Sequence, residues 1–143
     1  MKNKKTILFV CTGNSCRSQM AEGLMRKYIK KDFCVISAGL KPSKVNPQAI
    51  KAMNEINIDI SDQKSNHVEE YLNQTHEYVI TVCDRAKESC PAGLVGNKNI
   101  HWSISDPYVD GKDNDLYLPR YRSARDLLYD KILILVKEIN DGE

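Results

Sequence analysis

The sequence predicts an α/β domain with an open, parallel, four-stranded sheet and helices on both faces of that sheet. The first observation is that short apolar runs alternate with segments of helical periodicity along the chain, which is typical of parallel α/β folds. The second is that the 143 residues contain no repeat, low-complexity tract or linker that would divide them. A chain of this length can bury its own core, so we expect a single domain over residues 1–143.

Four short segments are predicted to be strands, the first and third of them almost wholly apolar. In chain order they are Thr6–Val10, Phe33–Ser37, Tyr78–Val82 and Asn99–Trp102. Apolar runs of this length, separated by helical segments, fit strands that are covered on both faces in a parallel sheet.

Three segments carry helix signals. Apolar residues recur at helical spacing from Ser18 to Lys30. Asn46-Pro47 is a typical helix start, because Asn caps a helix and Pro fits its first turn. A last helix is predicted from Ser123 to Ile139, whereas the polar segment Ser103–Pro119, rich in Asp, Gly and Pro, predicts a surface loop. The apolar stripes of the helices are interpreted as packing faces.

The composition excludes several classes of function. A formal net charge of +2, from 21 basic and 19 acidic residues, gives no general attraction to nucleic acid or to an anionic membrane. The N-terminus lacks the apolar stretch and cleavage site of a signal peptide, and the apolar run Ile132–Val136 is too short to span a bilayer. We therefore expect a cytoplasmic protein without nucleic-acid or membrane partners, and a monomer is the expectation for this size.

The chain contains five cysteines, Cys11, Cys16, Cys34, Cys83 and Cys90. An odd number without a secretion signal argues against a disulfide framework, and the spacings are not those of zinc sites. Each cysteine is therefore either a small buried apolar residue or a redox group. Cys34, which lies in a predicted strand, is expected to pack in the core.

The segment Cys11–Ser18, between a predicted strand and a predicted helix, indicates an oxyanion site. In such a turn the backbone N–H groups point inward and the helix N-terminus adds partial positive charge. Arg17 can bind two oxygens of a tetrahedral anion at once. The same environment favours the thiolate of Cys11 as a nucleophile, to which Ser18 could donate a hydrogen bond. The predicted anion cradle consists of Thr12, Gly13, Asn14, Ser15, Cys16 and Arg17.

These residues resemble the Cys-(five residues)-Arg-Ser signature of low-molecular-weight protein tyrosine phosphatases and the related arsenate reductases, and Gln19–Gly23 is more like the reductases. The likeness covers nearly the whole chain, through Ser37–Gly39, Asn46–Pro47, Ile58–Ser61, His101–Trp102 and Asp106–Pro107 to Arg125–Asp126. The resemblance implies the fold of that family and arsenate as substrate, with phosphate or sulfate as mimics. It also implies Asp106 as the general acid that protonates the leaving oxygen.

Two further cysteines separate the reductases from the phosphatases. Cys83 follows the third predicted strand, so it should face the same crevice as the loop after the first strand. Cys90 lies seven positions further on, across a polar segment that could bend or uncoil. Both are similar to residues of the three-cysteine arsenate reductases. That resemblance implies a thiol relay from Cys11 through Cys83 to Cys90, with thioredoxin as the reductant.

Two alternatives remain open from the sequence. Tyr108 is similar to the aromatic residue that tyrosine phosphatases place beside their substrate, so a phosphotyrosine or phosphoarginine phosphatase working through a Cys11 phosphoenzyme is the main rival. The other is an oxyanion-binding module without turnover, which would need neither Asp106 nor the cysteine pair.

Some reductases of this family bind potassium beside the loop, and Asn14, Glu22 and Ser37 stand at matching positions. Asn66 replaces the Asp that the family has as the fourth ligand. Because an uncharged oxygen attracts a cation less than a carboxylate does, we expect at most a weak potassium site and no tightly bound cofactor.

Overall fold

Four parallel strands form one sheet in the computed structural model, which describes residues 4–109 and 114–142. The strands are β1 (Lys5–Cys11), β2 (Phe33–Gly39), β3 (His76–Thr81) and β4 (Gly96–His101), in the spatial order β2-β1-β3-β4. Each contains or overlaps a strand that the sequence predicts. The parallel four-stranded sheet is therefore confirmed.

In the described part of the chain, four α-helices connect or follow these strands: α1 (Arg17–Tyr28), α2 (Pro47–Asn54), α3 (Asp84–Ser89) and α4 (Leu118–Asp141). The connection β1–α1–β2 moves toward one edge of the sheet and β3–α3–β4 toward the other. Since such parallel connections are right-handed, α1 and α3 lie on opposite faces. The prediction of helices on both faces is confirmed.

The core lies between the sheet and its helices, and β1 is its centre. Ile7, Leu8, Phe9 and Val10 are all fully buried, as expected for a central parallel strand that is covered on both faces. From α4, the fully buried Tyr121, Leu128 and Ile132 point into the core. Within the described residues, no helix combines the length and the apolar character that crossing a bilayer requires.

An ion-pair cluster joins α2 to α4. The guanidinium of Arg125, only 8% exposed, donates to the carbonyl oxygen of Ala52 at 2.7 Å and to Glu55 Oε1 at 2.8 Å. Arg122 binds the same carboxylate at 2.6 Å. Hydrogen bonds from Arg122 and then Arg125 hold the pKa of Glu55 at about 2.

The structure corrects two predictions and adds one helix. Helix α4 begins at Leu118 rather than Ser123, with Pro119 in its first turn, and a 3₁₀ turn covers Asp115–Tyr117. The end of the predicted surface loop is therefore helical, because Pro fits the first turn of a helix; residues 110–113 of that loop lie outside the described residues. Helix α3 was not predicted, since six residues are too few for a periodicity. Cys34 is exposed on the edge strand β2 rather than packed in the core.

Candidate active site

The candidate site lies where the chain reverses direction across the sheet. Strands β1 and β3 are neighbours, yet the chain leaves β1 toward β2 and leaves β3 toward β4. The carboxyl ends of β1 and β3 therefore open a crevice at the topological switch point. Cys11 ends β1, and Cys83 follows β3 after Val82. This topology brings the two cysteines to the same edge of the sheet.

The loop after β1 is turned by hydrogen bonds from the segment Leu40–Asn46. Four backbone N–H groups of this segment, those of Leu40, Lys41, Ser43 and Asn46, donate to the carbonyl oxygens of Cys11, Thr12, Gly13 and Ser15 at 2.8–3.3 Å. With these carbonyls held on the outside, the loop is free to present its N–H groups to an anion. No local pattern indicates this support, because the contacts join residues about 30 positions apart.

The sulfur of Cys11 is buried and hydrogen-bonded. It lies 2.8 Å from Ser18 Oγ and accepts from the N–H of Asn14 at 3.2 Å. Asn14 Nδ2 also donates to Ser18 Oγ at 2.7 Å. Because Ser18 Oγ already accepts this bond, its own proton can point to the sulfur. Two donors therefore converge on Cys11, an arrangement that stabilises a thiolate.

Asn14 has a left-handed backbone, with φ of 47°, and three neighbours hold it there. Ser65 Oγ and Gln19 Nε2 donate to its carbonyl oxygen at 2.7 and 3.0 Å, and the N–H of Asn66 donates to Asn14 Oδ1 at 2.8 Å. Left-handed geometry is rare outside glycine, although Asn tolerates it best. Sequence analysis missed the roles of Gln19 and Ser65, for which the chain has no local pattern.

Arg17 and Asp106 face each other at the mouth of the loop. Arg17 Nη1 donates to the carbonyl oxygen of Ile104 at 2.9 Å, while Nη2 lies 3.4 Å from Asp106 Oδ2. Asp106 Oδ1 accepts from the N–H of Tyr108 at 3.0 Å. The guanidinium of Arg17 is therefore held by Ile104 and Asp106, which lie across the crevice from the loop. Its partner Asp106 is half exposed and can reach a bound ligand.

A cavity of about 420 Å³ opens above the loop. Its floor consists of the predicted cradle residues Thr12, Gly13, Ser15, Cys16 and Arg17 together with Cys11, whereas Asn14 is fully buried beneath. Asp106 and Tyr108 form one wall, and the segment Ser43–Pro47 contributes to the other. Lys44 in that segment adds a positive charge that the sequence reasoning did not single out.

Cys16 is the N-cap residue of α1, and its thiol is not a second nucleophile. Burial raises its pKa to about 12, which contact with Ser15 and Tyr121 offsets only in part. At neutral pH this thiol therefore stays protonated. In the predicted cradle, Cys16 contributes through its position in the turn rather than through a reactive sulfur.

Cys83 touches the anion loop and begins α3. Its sulfur lies 3.4 Å from Thr12 Oγ1 and accepts from the N–H of Ala86 at 3.3 Å, so this sulfur is the N-cap of the helix. A second, polar cavity of about 390 Å³ connects Cys83 with Thr12, Arg17 and Asp106. The predicted meeting of Cys83 with the loop after β1 is thus present in the structure.

Cys90 does not share this crevice. It is the C-cap of α3, so seven residues of mostly helical rise, about 10 Å, separate it from Cys83. Its half-buried thiol lines another cavity of about 380 Å³, beside Pro91 and Leu94, and burial raises the pKa of this thiol. All five cysteines, which lie in the described part of the chain, are free thiols. The structure therefore places Cys83 against the loop that begins at Cys11, while Cys90 lies in another cavity.

The residues of the expected potassium site bind one another. Asn14 Nδ2 donates to Ser37 Oγ at 2.9 Å, Ser37 Oγ donates to Glu22 Oε1 at 2.6 Å, and Arg26 pairs with Glu22 Oε2 at 2.8 Å. Asn66 turns its amide N–H toward the carbonyl oxygen of Ser37 at 3.1 Å. The oxygens of these residues thus already accept hydrogen bonds from one another, and Arg26 neutralises the carboxylate of Glu22. This arrangement does not fit an added cation.

Comparisons with known proteins agree with this geometry. The profile of the family described as low molecular weight phosphotyrosine protein phosphatase matches residues 6–142. The chain is 46% identical over 125 residues to an arsenate reductase of Halalkalibacterium halodurans, covering 87% of this chain and 89% of that relative.

Two solved structures have the same fold. One, an arsenate reductase in the phosphate binding state, superposes with a TM-score of 0.80 at 34% identity and covers 94% of this chain and 98% of its own. The other, an arginine phosphatase from Geobacillus stearothermophilus, has a TM-score of 0.78 at 26% identity, covering 96% of this chain and 94% of its own. Reductases and a phosphatase are both similar to this chain.

Proposed function

The chain belongs to the low-molecular-weight phosphotyrosine protein phosphatase family, and from that premise we propose that it is an arsenate reductase. The observation that carries the proposal is the place of Cys83, whose buried sulfur lies 3.4 Å from Thr12 Oγ1 of the anion loop. A phosphatase needs one nucleophile and one acid, whereas a reductase also needs a second thiol beside the first. The named reductase relatives support the same choice.

In the first step, the thiolate of Cys11 attacks the arsenic atom of arsenate. A sulfur–arsenic bond forms and one arsenic–oxygen bond breaks. The oxygen leaves as water after taking a proton from Asp106. The N–H groups of residues 12–17 and the guanidinium of Arg17 bind the remaining oxygens, and Ser18 holds the attacking sulfur at 2.8 Å.

In the second step, the sulfur of Cys83 attacks the sulfur of Cys11. A disulfide forms, the sulfur–arsenic bond breaks, and its electron pair stays on arsenic. Arsenic is thereby reduced from As(V) to As(III) and leaves as arsenite, while the two thiols lose the two electrons. The contact between Cys83 and Thr12 supports this step, because it places the second sulfur against the loop that carries the first.

In the third step, Cys90 attacks Cys83 and Cys11 leaves as a thiolate. A disulfide requires Cα atoms about 4.4–6.8 Å apart, whereas Cys83 and Cys90 are separated by about 10 Å of helical rise. Helix α3 must therefore unwind for this step. Unwinding also exposes the thiol of Cys90, whose pKa burial raises in the wound state.

The Cys83–Cys90 disulfide then needs an external dithiol. We propose thioredoxin for this role, since a two-electron thiol exchange regenerates all three thiols and fits a reducing cytoplasm. In this cycle arsenate is the substrate, and phosphate or sulfate would occupy the same loop as unreactive mimics.

The test is to trap each disulfide. Single turnover of arsenate by Cys90→Ser should accumulate the Cys11–Cys83 disulfide, which mass spectrometry of non-reduced peptides identifies. Cys83→Ser should release no arsenite, whereas Cys34→Ser, which changes the exposed cysteine of β2, should behave as wild type. Arsenite release from Cys83→Ser at the wild-type rate would overturn the proposal.

A second activity, hydrolysis of aryl phosphates through a Cys11 phosphoenzyme, is favoured by Tyr108. This ring lines the same cavity as Cys11, and the cavity is larger than an inorganic oxyanion needs. Cys83→Ser should retain this hydrolysis because the reaction uses only Cys11, Arg17 and Asp106. Tyr108→Ala should slow hydrolysis of aryl phosphate more than reduction of arsenate. Equal effects on both reactions would remove the argument from Tyr108.

A further inference from the structure

A chain of contacts ties the first turn of α3 to the ends of β3 and β4. Asp84, the first residue of α3, lies 2.9 Å from Nε2 of His101, the last residue of β4. The other ring nitrogen of His101, Nδ1, lies 2.7 Å from Oγ1 of Thr81, the last residue of β3. The imidazole therefore bridges the helix to the sheet.

The bridge is satisfied in either protonation state of His101. In the neutral ring, Nε2–H donates to the carboxylate and Nδ1 accepts from the hydroxyl of Thr81. In the cationic ring, Nδ1–H donates to Thr81 Oγ1, and the Thr81 hydroxyl can turn to the carbonyl oxygen of Ile100 at 3.5 Å. Hydrogen bonds from His101 and Ser103 lower the pKa of Asp84, so the carboxylate is ionised at neutral pH.

Among the described residues, few other contacts stabilise the helical form of α3. The helix has six residues, of which only Ala86 is buried, and isolated helices of this length are not stable in water. Apart from that burial, its first turn has two kinds of side-chain contact. One is the cap in which Cys83 Sγ accepts from the N–H of Ala86 at 3.3 Å, and the other is the pair of hydrogen bonds that Asp84 makes with His101 and Ser103.

Formation of the Cys11–Cys83 disulfide affects the cap on Ala86 and the contact of Asp84 with His101 differently. When Cys83 forms a disulfide with Cys11, the direction of its sulfur is set by the new bond and no longer by the cap. The cap on Ala86 is therefore weakened by the chemistry itself, whereas the contact between Asp84 and His101 is untouched.

We propose that the Asp84–His101 pair, with Thr81 behind it, is a latch that keeps α3 wound and so limits the transfer of the disulfide from Cys11–Cys83 to Cys83–Cys90. The gating part of this proposal rests on the proposed function. Asp84 and His101 are positioning residues, because they touch neither the oxyanion nor a reacting sulfur.

Hydrogen exchange of the reduced protein tests the latch without any turnover. Asp84→Asn and His101→Gln should each increase the exchange rate of the amides of residues 86–90 by about two- to fivefold, the range expected for an exposed ion pair. The double variant should exchange no faster than Asp84→Asn alone, and His101→Gln measures the pair without the other effects of Asp84, on Ser103 and on the helix end. Glu88→Gln, which removes an acid from the same helix, is the matched control and should resemble wild type.

The second measurement is the rate of disulfide transfer in a single turnover, followed by quenching, alkylation and peptide mass spectrometry. Asp84→Asn should speed the conversion of Cys11–Cys83 to Cys83–Cys90 by a similar factor and leave arsenite release unchanged. A merely structural defect would slow both steps.

Exchange rates of Asp84→Asn and His101→Gln that match Glu88→Gln would overturn the latch. Faster exchange with an unchanged transfer rate would overturn its gating role. Failure of the wild-type protein to form either disulfide with arsenate would instead overturn the proposed function and the gating with it, while the exchange result still decides whether the pair holds α3.

Discussion

Gly39 offers a sharp test of how the anion loop is held, because it lies against that loop without belonging to it. It is paired with Cys11 across β2 and β1, and its N–H donates to the carbonyl oxygen of Asn66 at 2.8 Å. A Cβ atom built on Gly39 would lie 2.7 Å from the carbonyl oxygen of Thr12 and 2.8 Å from the N–H nitrogen of Asn14. Both neighbours are backbone atoms, which cannot rotate away.

The displacement caused by Gly39→Ala follows from these distances. Ordinary contact begins at 3.4 Å, so the 2.7 Å contact requires the loop to move by about 0.7 Å. Misplacement of reacting groups by about 1 Å costs about a hundredfold in rate, and overpacking costs about 1–3 kcal/mol of stability. We therefore expect kcat/KM to fall by about ten- to a hundredfold for both arsenate reduction and aryl phosphate hydrolysis.

The assay combines steady-state kinetics for both substrates with calorimetric binding of phosphate and a thermal melt. Gly93→Ala is the matched control, since its Cβ would meet side-chain atoms of Asn73 and Leu72 and no backbone, the nearest being the side-chain oxygen of Asn73 at 3.0 Å. It should retain the kinetics and phosphate affinity of wild type. Wild-type kinetics and phosphate affinity in Gly39→Ala would refute the argument that backbone contacts from β2 fix the loop.

Three further outcomes are expected. Ser18→Ala should lower kcat/KM for aryl phosphate by about tenfold or more, because a hydrogen bond to a charged group contributes about 1.5–3 kcal/mol; an unchanged value would show that the Cys11 sulfur does not depend on this contact. Iodoacetamide at neutral pH should label Cys11 faster than Cys16, whose pKa is raised to about 12, and peptide mapping that finds Cys16 labelled first would contradict the burial argument. Glu55 has a folded pKa of about 2 against an ordinary value of 4.5, so its stabilising effect is complete above pH 4.5 and is lost as the pH falls toward 2. Unfolding experiments between pH 5 and 2 should therefore show a weaker pH dependence for Glu55→Gln than for wild type, and identical curves would exclude this carboxylate as a source of the acid sensitivity.

The strands and the anion loop could be predicted because their signals are local. Apolar runs identify β1 and β3, and Cys11 with Arg17 and Ser18 defines the loop within eight residues. The handedness of the connections then follows from a general rule for parallel sheets, whereas the order of the strands comes from the structure. The start of α4 was misplaced because a polar loop composition outweighed the signal from Pro119.

The rest of the site could not be predicted because it depends on contacts between distant residues. The left-handed backbone of Asn14 is held by hydrogen bonds from Gln19, Ser65 and Asn66. No spacing in the sequence indicates these contacts. Helix α3 is too short for a periodicity and is capped by a cysteine sulfur instead of a common capping residue. Because α3 could not be predicted, the sequence suggests Cys90 as a relay residue but does not show that this helix separates Cys90 from Cys83.

The most direct test of the account is arsenite formation from arsenate with thioredoxin, thioredoxin reductase and NADPH, measured for wild type, Cys83→Ser and Cys34→Ser. We expect NADPH consumption matched by arsenite for wild type and Cys34→Ser, and neither for Cys83→Ser, with aryl phosphate hydrolysis intact in all three. Absence of arsenate-dependent NADPH consumption in wild type, alongside brisk aryl phosphate hydrolysis, would contradict the reductase and leave a phosphatase whose Cys83 has no part in the reaction.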